Sequence, residues 1–511
     1  MCYNIFMLKK DWDKNLLFKK IERGYVRARL FNILLALVFI SAGLAIYHSF
    51  KTMPAGLDYA SPSYTVNMSD LKFLSDLTYS DSAGQRQQEQ AIFKTIFERI
   101  DNAQQYILLD MFLWNDFKPR GQTAAVSLSQ TLTDKLLAKK ATNPDIRIDV
   151  ITDPINTVYG GMKSAQLESL KQVGINVIIT KLGPLRDSNP IYSGPWRLLF
   201  GWWGNSAKHG WLPNPFNQGG DRVSLRSYLA MLNFKANHRK VFLADRQGEL
   251  VSIITSANPH DMSAPNSNVA LEVGGVFGQE IYNSENAVAK MSGNSLSPLP
   301  DNLLRESPGA NDYGQARLLT ENQIRLAFLN KINQLNQGDR LAIAMFYLGE
   351  RRVIKAILDA AGRGADIKII LDPSKDAFGY SKDGIPNREV AEELFNKSQG
   401  KIQIRLYATT GEQFHTKLVL MKNLADNTTG LFLGSANLTK RNLADYNLET
   451  DVELVTKTGL GVAGDAEQYF SDLWNNAGGR AYTVPREQYR DGSLWKYWLY
   501  RLQEASGLSS F

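Results

Sequence analysis

The chain has one cysteine, Cys2, so neither a disulfide framework nor a cysteine-based metal site is available to it. Histidine is nearly as scarce, with five in 511 residues, and any imidazole chemistry must draw on that small set. A basic body is missing as well. Of the formal charge of +7, six units lie in residues 1–51, where nine Lys and Arg face only Asp11, Asp13 and Glu22. The remainder carries 49 basic and 48 acidic residues. A nucleic-acid binder carries its excess on the domain that binds, so a nucleic-acid partner is disfavoured. No grouping of His, Asp and Glu has metal-ligand spacing, so neither a metal nor another cofactor is expected.

One long uncharged run is present, over residues 30–47. As a helix it is about 27 Å long, enough for the hydrocarbon core of a bilayer. Basic residues crowd its N-terminal side. This predicts a basic cytoplasmic arm (1–29), a single transmembrane helix (30–48) in the cell (inner) membrane and an extracytoplasmic, periplasmic body. A cleaved signal peptide, with small residues at Gly43 and Ala45, is the alternative; the long basic region and long apolar run favour an uncleaved anchor. Residues 49–88, rich in Ser, Asp, Tyr and Gly, read as a linker.

The body reads as an internal duplication. Helical spacing at Ile92, Phe93, Ile96, Phe97 and Ile100 precedes strands over 106–113, 146–152 and 175–180, with helical stretches between them. The same order returns with a helix at Ile324, Ala327, Phe328 and Ile332, then strands over 340–347, 367–371 and 402–407. Met111-Phe112 matches Met345-Phe346, and Asp153-Pro154 matches Asp372-Pro373. The expected class is α/β: two homologous halves, 89–290 and 318–476, with mostly parallel sheets covered by helices. A linker (291–317) separates them, and a C-terminal tail (477–511) follows. The first half alone carries an insertion, 183–232, dense in Gly, Pro and aromatics. Its tryptophans suit either a water–lipid boundary or packing against the body, and the aromatic, basic tail poses the same choice.

Each half also repeats one set of polar residues. Asn237-His-Arg-Lys-Val-Phe-Leu-Ala-Asp245 puts His238 and Lys240 on one face of a strand, and Phe414-His-Thr-Lys417 does the same for His415 and Lys417 about 180 residues later. Ser256-Ala-Asn258 and Ser435-Ala-Asn437 follow, then Asn268-Val-Ala-Leu-Glu272 and Asn447-Leu-Glu449. Two such series in the same order are hard to assign to chance. Lysines and asparagines converging on a tetrahedral anion stabilise charge as it develops. One imidazole can act as nucleophile and a second as general acid, each oriented by a carboxylate. That set suits phosphodiester cleavage in two displacements through a phosphohistidine.

These motifs resemble the duplicated His-x-Lys-x4-Asp signature of the phospholipase D superfamily, with its trailing Gly-Ser-x-Asn and Glu. The anchor and two halves resemble the bacterial cardiolipin synthases within it. The resemblance implies an active site at the interface of the halves, with His238 as nucleophile and His415 as acid. It also implies Lys240, Lys417, Ser256, Asn258, Ser435 and Asn437 around the phosphate, Glu272 and Glu449 behind the rings, and Asp245 as a structural part of the motif. The implied activity is phosphatidyl transfer between phospholipids, with a phospholipase D hydrolase and a superfamily nuclease as alternatives. Two positions depart from the pattern: Lys422 stands where the second copy should have Asp, with Asp426 nearby, and Thr255 precedes Ser256. Overlaying the two Asn residues pairs Glu272 with Asp451, whereas the Asn-x-Glu spacing favours Glu449.

Overall fold

The computed structural model describes residues 2–119, 121–303, 313–377, 380–381, 383–490 and 493–508. The N-terminal helix, Cys2–Phe50, includes a segment, Arg23–Phe50, long and apolar enough to cross a membrane. Behind it the body is α/β, with two large sheets and the order of elements that the duplication predicts.

The first sheet runs Arg86–Gln90, Leu71–Ser80, Asn268–Gly274, Glu249–Thr255, Lys240–Arg246, Tyr106–Met111, Arg147–Thr152, Asn176–Ile179. The second runs Tyr64–Asn67, Tyr313–Thr320, Thr450–Lys457, Thr428–Gly434, Lys417–Asn423, Arg340–Met345, Asp366–Leu371, Ile402–Tyr407, Thr483–Pro485. Four expectations are corrected. The sheets are mixed, with antiparallel pairs in the majority: only the strands joined by crossover helices, such as Tyr106–Met111 with Arg147–Thr152, are parallel. The histidine strands instead enter hairpins. Lys240–Arg246 turns into Glu249–Thr255 through Gln247-Gly248, both at positive φ, and a two-residue connection of that kind can only reverse the chain. Residues 49–88 are not a linker either. Tyr64–Asn67 pairs with the second sheet and Leu71–Ser80 with the first, so this stretch is stitched into both halves. Similarly, Tyr313–Thr320 begins inside the expected 291–317 linker, and Thr483–Pro485 of the tail closes the second sheet.

Strand alternation explains the layering. Ile107 and Leu109 face the outer helices of the first half, while Leu108 faces a core shared by both halves. Ile343 and Ala344 divide in the same way in the second half. The shared core also takes Phe277 and Ile281 from helix Phe277–Met291, and Val462, Ala466 and Phe470 from helix Gly461–Asn475. The halves are therefore fused by apolar packing, and their strand ends are held in fixed relation.

Candidate active site

Backbone pairing between the halves sets the site. His238 N donates to Leu448 O (2.9 Å) and Leu448 N to Ala236 O (3.0 Å). The counterpart contact is Ser267 N to Gln413 O at 3.0 Å. Each histidine strand thus begins against the segment following the Ser-Ala-Asn turn of the other half. The Asp-Pro corners add a second clamp: Asp153 Oδ2 accepts from Asn237 N (2.7 Å) and Asp372 Oδ2 from Phe414 N (2.8 Å).

The side chains cross between halves in the same way. His238 Nδ1 lies 2.9 Å from Glu449 Oε2, and His415 Nδ1 lies 3.1 Å from Asn268 Oδ1. Ser435 donates to Glu449 (2.6 Å) and Ser256 to Asn268 (3.2 Å), so both serines steady the group behind a ring. Ser256 N binds Val269 O and Ser435 N binds Thr450 O, which aligns Asn268 with Glu449. Glu272 is therefore not the second carboxylate of the site. It is bound to Arg99 (2.9 Å) and Arg246 (3.2 Å), and its structural counterpart is Glu453, paired with Arg317. Asp451 accepts from Ala436 N at 3.0 Å and supports the turn.

Lys240 and Lys417 are buried, each donating to the carbonyl of its own histidine, at 2.6 and 2.9 Å. Each ammonium also lies over an aromatic ring, Lys240 5.1 Å from the centre of Phe112 and Lys417 5.0 Å from that of Phe346. The same rings meet His238 and His415 at 4.9 Å in both cases. Asn258 accepts from Leu113 N at 3.3 Å, while Asn437 Oδ1 is buried without a hydrogen-bond partner. His260 is absorbed locally by Ser263 and the Phe117 carbonyl.

Burial and the facing lysines hold both imidazoles well below the ordinary histidine range. Burial draws Lys240 down to about 7 against the pull of Glu449, and raises Glu449 to about 7 against Lys240 and its hydrogen bonds. Burial also holds the Lys417 ammonium well below the ordinary lysine range, so a bound anion would favour the charged form of both lysines. Two neutral imidazoles with their Nδ1 atoms engaged leave Nε2 for chemistry; one ring backed by a carboxylate and one by an amide are chemically unequal.

Beneath the strand, Arg239 points into the shared core. It binds Glu285 (3.1 Å) and, across the halves, Glu321 (2.7 Å), while Asn237 Nδ2 donates to Asp110 (2.9 Å). Glu321, at φ +48°, also accepts from Glu449 N at 3.2 Å. Thr416 takes the corresponding place in the second copy and meets the Tyr469 hydroxyl at 3.0 Å. Asp245 accepts from the backbone N–H groups of Gln104, Gln105 and Tyr106 at 2.8–3.1 Å and touches no ring. The residues missed in the sequence, Phe112, Phe346, Asn268, Asp153, Asp372, Arg239 and Glu321, include two matched pairs. The repeated Met-Phe and Asp-Pro were visible signals for those pairs.

A cavity of about 560 Å³ lies in the second half and is lined by Arg340, Lys368, Lys422, Glu467 and Trp474 among others. It shares no residue with the histidine site.

Two fused α/β halves, each contributing a His-x-Lys strand, thus form one site of cross-supported rings. Residues 331–474 match the family model described as "Cardiolipin synthase, PLD-like domain". Among solved structures, the chain is similar to phosphatidylserine synthase from Haemophilus influenzae. The TM-score is 0.54 at 12% identity, covering 87% of this chain and 94% of that one; a likeness at this identity bears on the fold. Polyphosphate kinase from Porphyromonas gingivalis (TM-score 0.40, 10% identity, 79% and 50% covered) and the phospholipase D family member Nuc from Salmonella typhimurium (0.24, 20%, 32% and 95%) are more distant. No curated protein sequence matches the chain. Over residues 331–474 the chain is thus similar to the phospholipase D-like domain of cardiolipin synthases, and over most of its length it has the fold of the phosphatidylserine synthase.

Proposed function

We propose that this enzyme is a membrane-anchored phosphatidyltransferase of the cardiolipin-synthase type, acting on phospholipid phosphodiesters through a phosphohistidine. The observation that carries this reading is the unequal backing of two converging histidines, Glu449 behind His238 and Asn268 behind His415. A carboxylate fixes the Nδ1–H tautomer, leaves Nε2 as the nucleophilic lone pair and stabilises the cationic ring of a phosphohistidine. His238 Nε2 attacks phosphorus, and the bond to the leaving glycerol oxygen breaks. His415, protonated at Nε2, gives its proton to that oxygen. In the second displacement neutral His415 takes the proton of an acceptor glycerol hydroxyl, whose oxygen attacks phosphorus as the P–N bond breaks. Donor and acceptor phosphatidylglycerols thus yield one cardiolipin and one glycerol, and His238 is returned. Lys240 and Lys417 neutralise the non-bridging oxygens, with Asn258 and Asn437 at the rim of the phosphate site.

The N-terminal helix holds this chemistry at a bilayer, with the arm cytoplasmic and the body periplasmic, in keeping with the charge bias. The purified full chain, incubated with phosphatidylglycerol and separately with single-stranded DNA beside His238→Ala, tests the assignment. Cardiolipin plus glycerol is the expected product. Phosphatidic acid in its place identifies a hydrolase, and DNA cleavage with inert lipid overturns the lipid reading.

A further inference from the structure

The insertion of the first half does not fold over the catalytic strands. Its helix, Pro190–Leu199, packs against the last turns of the N-terminal helix. Gly194 makes the closest approach: a Cβ added there would lie 2.5 Å from Ser41 O and 3.1 Å from the Ala45 Cβ. Small residues four apart on one helix facing glycine on another allow the backbones to meet, which is how helices associate without water to drive them together. Ser41 and Ala45 belong to the uncharged run 30–47, so the crossing lies within the apolar part of the helix, about 3–9 Å short of the end of that run by helical rise.

A polar collar fixes the pair just beyond. Asp187 N donates to His48 O (3.0 Å), and the Asp187 carboxylate binds Arg197 (2.7 Å) and Lys235 (2.5 Å). Arg186 donates to the Lys51 carbonyl at 2.8 Å, and Lys51 Nζ to Gly183 O at 3.3 Å. On the free side of the insertion helix, Ile191 is 71% and Trp202 74% exposed, with Leu199 and Trp203 also exposed. The C-terminal helix, Leu494–Ser506, continues this surface. It docks on the body through buried Tyr500 and Glu504, and Gly507 abuts the Ser188 carbonyl just before the insertion helix. Its Leu494, Trp495, Trp498 and Leu502 are left exposed. Charge agrees with this placement: residues 183–232 hold five Lys and Arg against Asp187 and Asp221, so the body without them is slightly acidic.

We propose that the insertion helix and its Trp202-Trp203 loop are embedded in the bilayer leaflet from which the N-terminal helix emerges, and that the C-terminal helix lies on that leaflet's surface. The inference rests on the reading that the N-terminal helix crosses a membrane. An exposed apolar face locked beside a membrane-spanning segment has lipid as its partner, and a basic, tryptophan-rich rim suits an anionic interface. The insertion ends six residues before His238, so its docking also fixes the reactive strand relative to the lipid surface.

The test uses the full chain in vesicles of phosphatidylcholine and phosphatidylglycerol. In a Cys2→Ser background, single cysteines introduced by Ile40→Cys, Leu199→Cys, Trp202→Cys, Trp498→Cys and Leu424→Cys carry an environment-sensitive fluorophore. Acyl-chain nitroxide lipids are expected to quench the labels at 40, 199 and 202 several-fold more than the label at 424, with aqueous iodide giving the reverse order. The label at 498 is expected to respond most to headgroup nitroxide. Labels at 199 and 202 that behave like 424 while 40 reports lipid overturn the proposal alone. A label at 40 that also reports water overturns the membrane-spanning reading beneath it.

Discussion

In the first half, the carboxylate near the end of the histidine strand, Asp245, binds three backbone N–H groups leading into the adjacent strand, and the group sent across to the opposite ring is the amide of Asn268. In the second half Lys422 is near the end of the strand, and the group sent across is the carboxylate of Glu449. The backbone geometry is common to both: inter-half pairing, Asp-Pro clamp, ammonium over a phenylalanine. The polar chemistry is divided. A duplicated scaffold needs symmetric backbone pairing to place two rings, but a two-step displacement needs rings with different duties. The difference between Glu449 and Asn268 is where the symmetry is given up.

The largest effect expected from that division separates the histidines. His238→Ala removes the group proposed to accept the phosphatidyl unit and is expected to cost on the order of 10⁴-fold or more in kcat. His415→Ala is expected to cost about 10²–10⁴-fold, and to regain its first step with a substrate whose leaving group, such as p-nitrophenol, needs no proton. A burst of p-nitrophenol followed by a stalled enzyme carrying a phosphatidyl group is the expected signature, visible by mass spectrometry of the intact protein. A burst from His238→Ala instead would exchange the two roles.

Next in size are the groups behind the rings. Glu449→Gln keeps the size but loses the charge and the tautomer control, and kcat/KM is expected to fall on the order of 10²–10⁴-fold. Asn268→Ala removes a neutral hydrogen bond and is expected to cost about fivefold. Glu272→Gln breaks the link to Arg99 and Arg246; it is expected to lower stability by about 1–3 kcal/mol with kcat/KM unchanged. Kinetics paired with thermal unfolding separate the three. A large kinetic loss from Glu272→Gln would return that residue to the site.

The pH profile sharpens the comparison further. His415 must be protonated to act as acid, and burial with two nearby lysines holds it below the ordinary range, so the working form is lost as pH rises from the acidic side. Lys240, drawn to about 7 by burial, loses its charge in the same direction. Loss of the Lys240 charge makes kcat/KM of the free enzyme fall as pH rises through about 7, and loss of protonated His415 starts at more acidic pH. A bound phosphodiester anion favours the protonated form of each, so the descending limb of kcat is expected at higher pH than that of kcat/KM. Coincident limbs would mean that neither group titrates in the reaction.

Much of this was legible in the chain. The His-x-Lys strands, the Ser-Ala-Asn turns and Glu449 each recur or keep a fixed spacing, and the helix Asn387–Lys397 and strand Ile402–Tyr407 follow from simple periodicity. What was not legible depends on partners distant in sequence. Tyr64–Asn67 and Leu71–Ser80 alternate in burial, but serines and aspartates among the apolar positions hid the period. The histidine strands were expected in parallel sheets because strand–helix alternation precedes them, yet the short hairpin turns decide their direction. Glu272 was assigned behind a ring because a carboxylate was sought in each half, whereas only the pairing of Ser256 with Val269 reveals that Asn268 is the residue that reaches the ring.

The smallest expected effect concerns Lys422, the position where the second copy departs from its motif. In the first half Asp245 reaches from the histidine strand to the amides at the start of Tyr106–Met111. In the second half the cap is supplied from the other side. Asp339, just before Arg340–Met345, accepts from Leu424 N and Asn336 N, both at 2.9 Å. With that carboxylate in place, an acidic residue at 422 has no comparable set of amides to satisfy. Lys422 also lies 3.9 Å from Glu467, and an acidic group would turn that weak attraction into repulsion. Asp245→Ala and Asp339→Ala are each expected to cost about 1–3 kcal/mol, because both leave backbone donors without an acceptor. Lys422→Asp, which restores the motif as written, is expected to change stability by no more than about 1 kcal/mol, in the unfavourable direction, and to leave kcat untouched. Thermal unfolding of the detergent-solubilised chain decides between them, and a clear stabilisation by Lys422→Asp would mean that Asp339 has not taken over the cap.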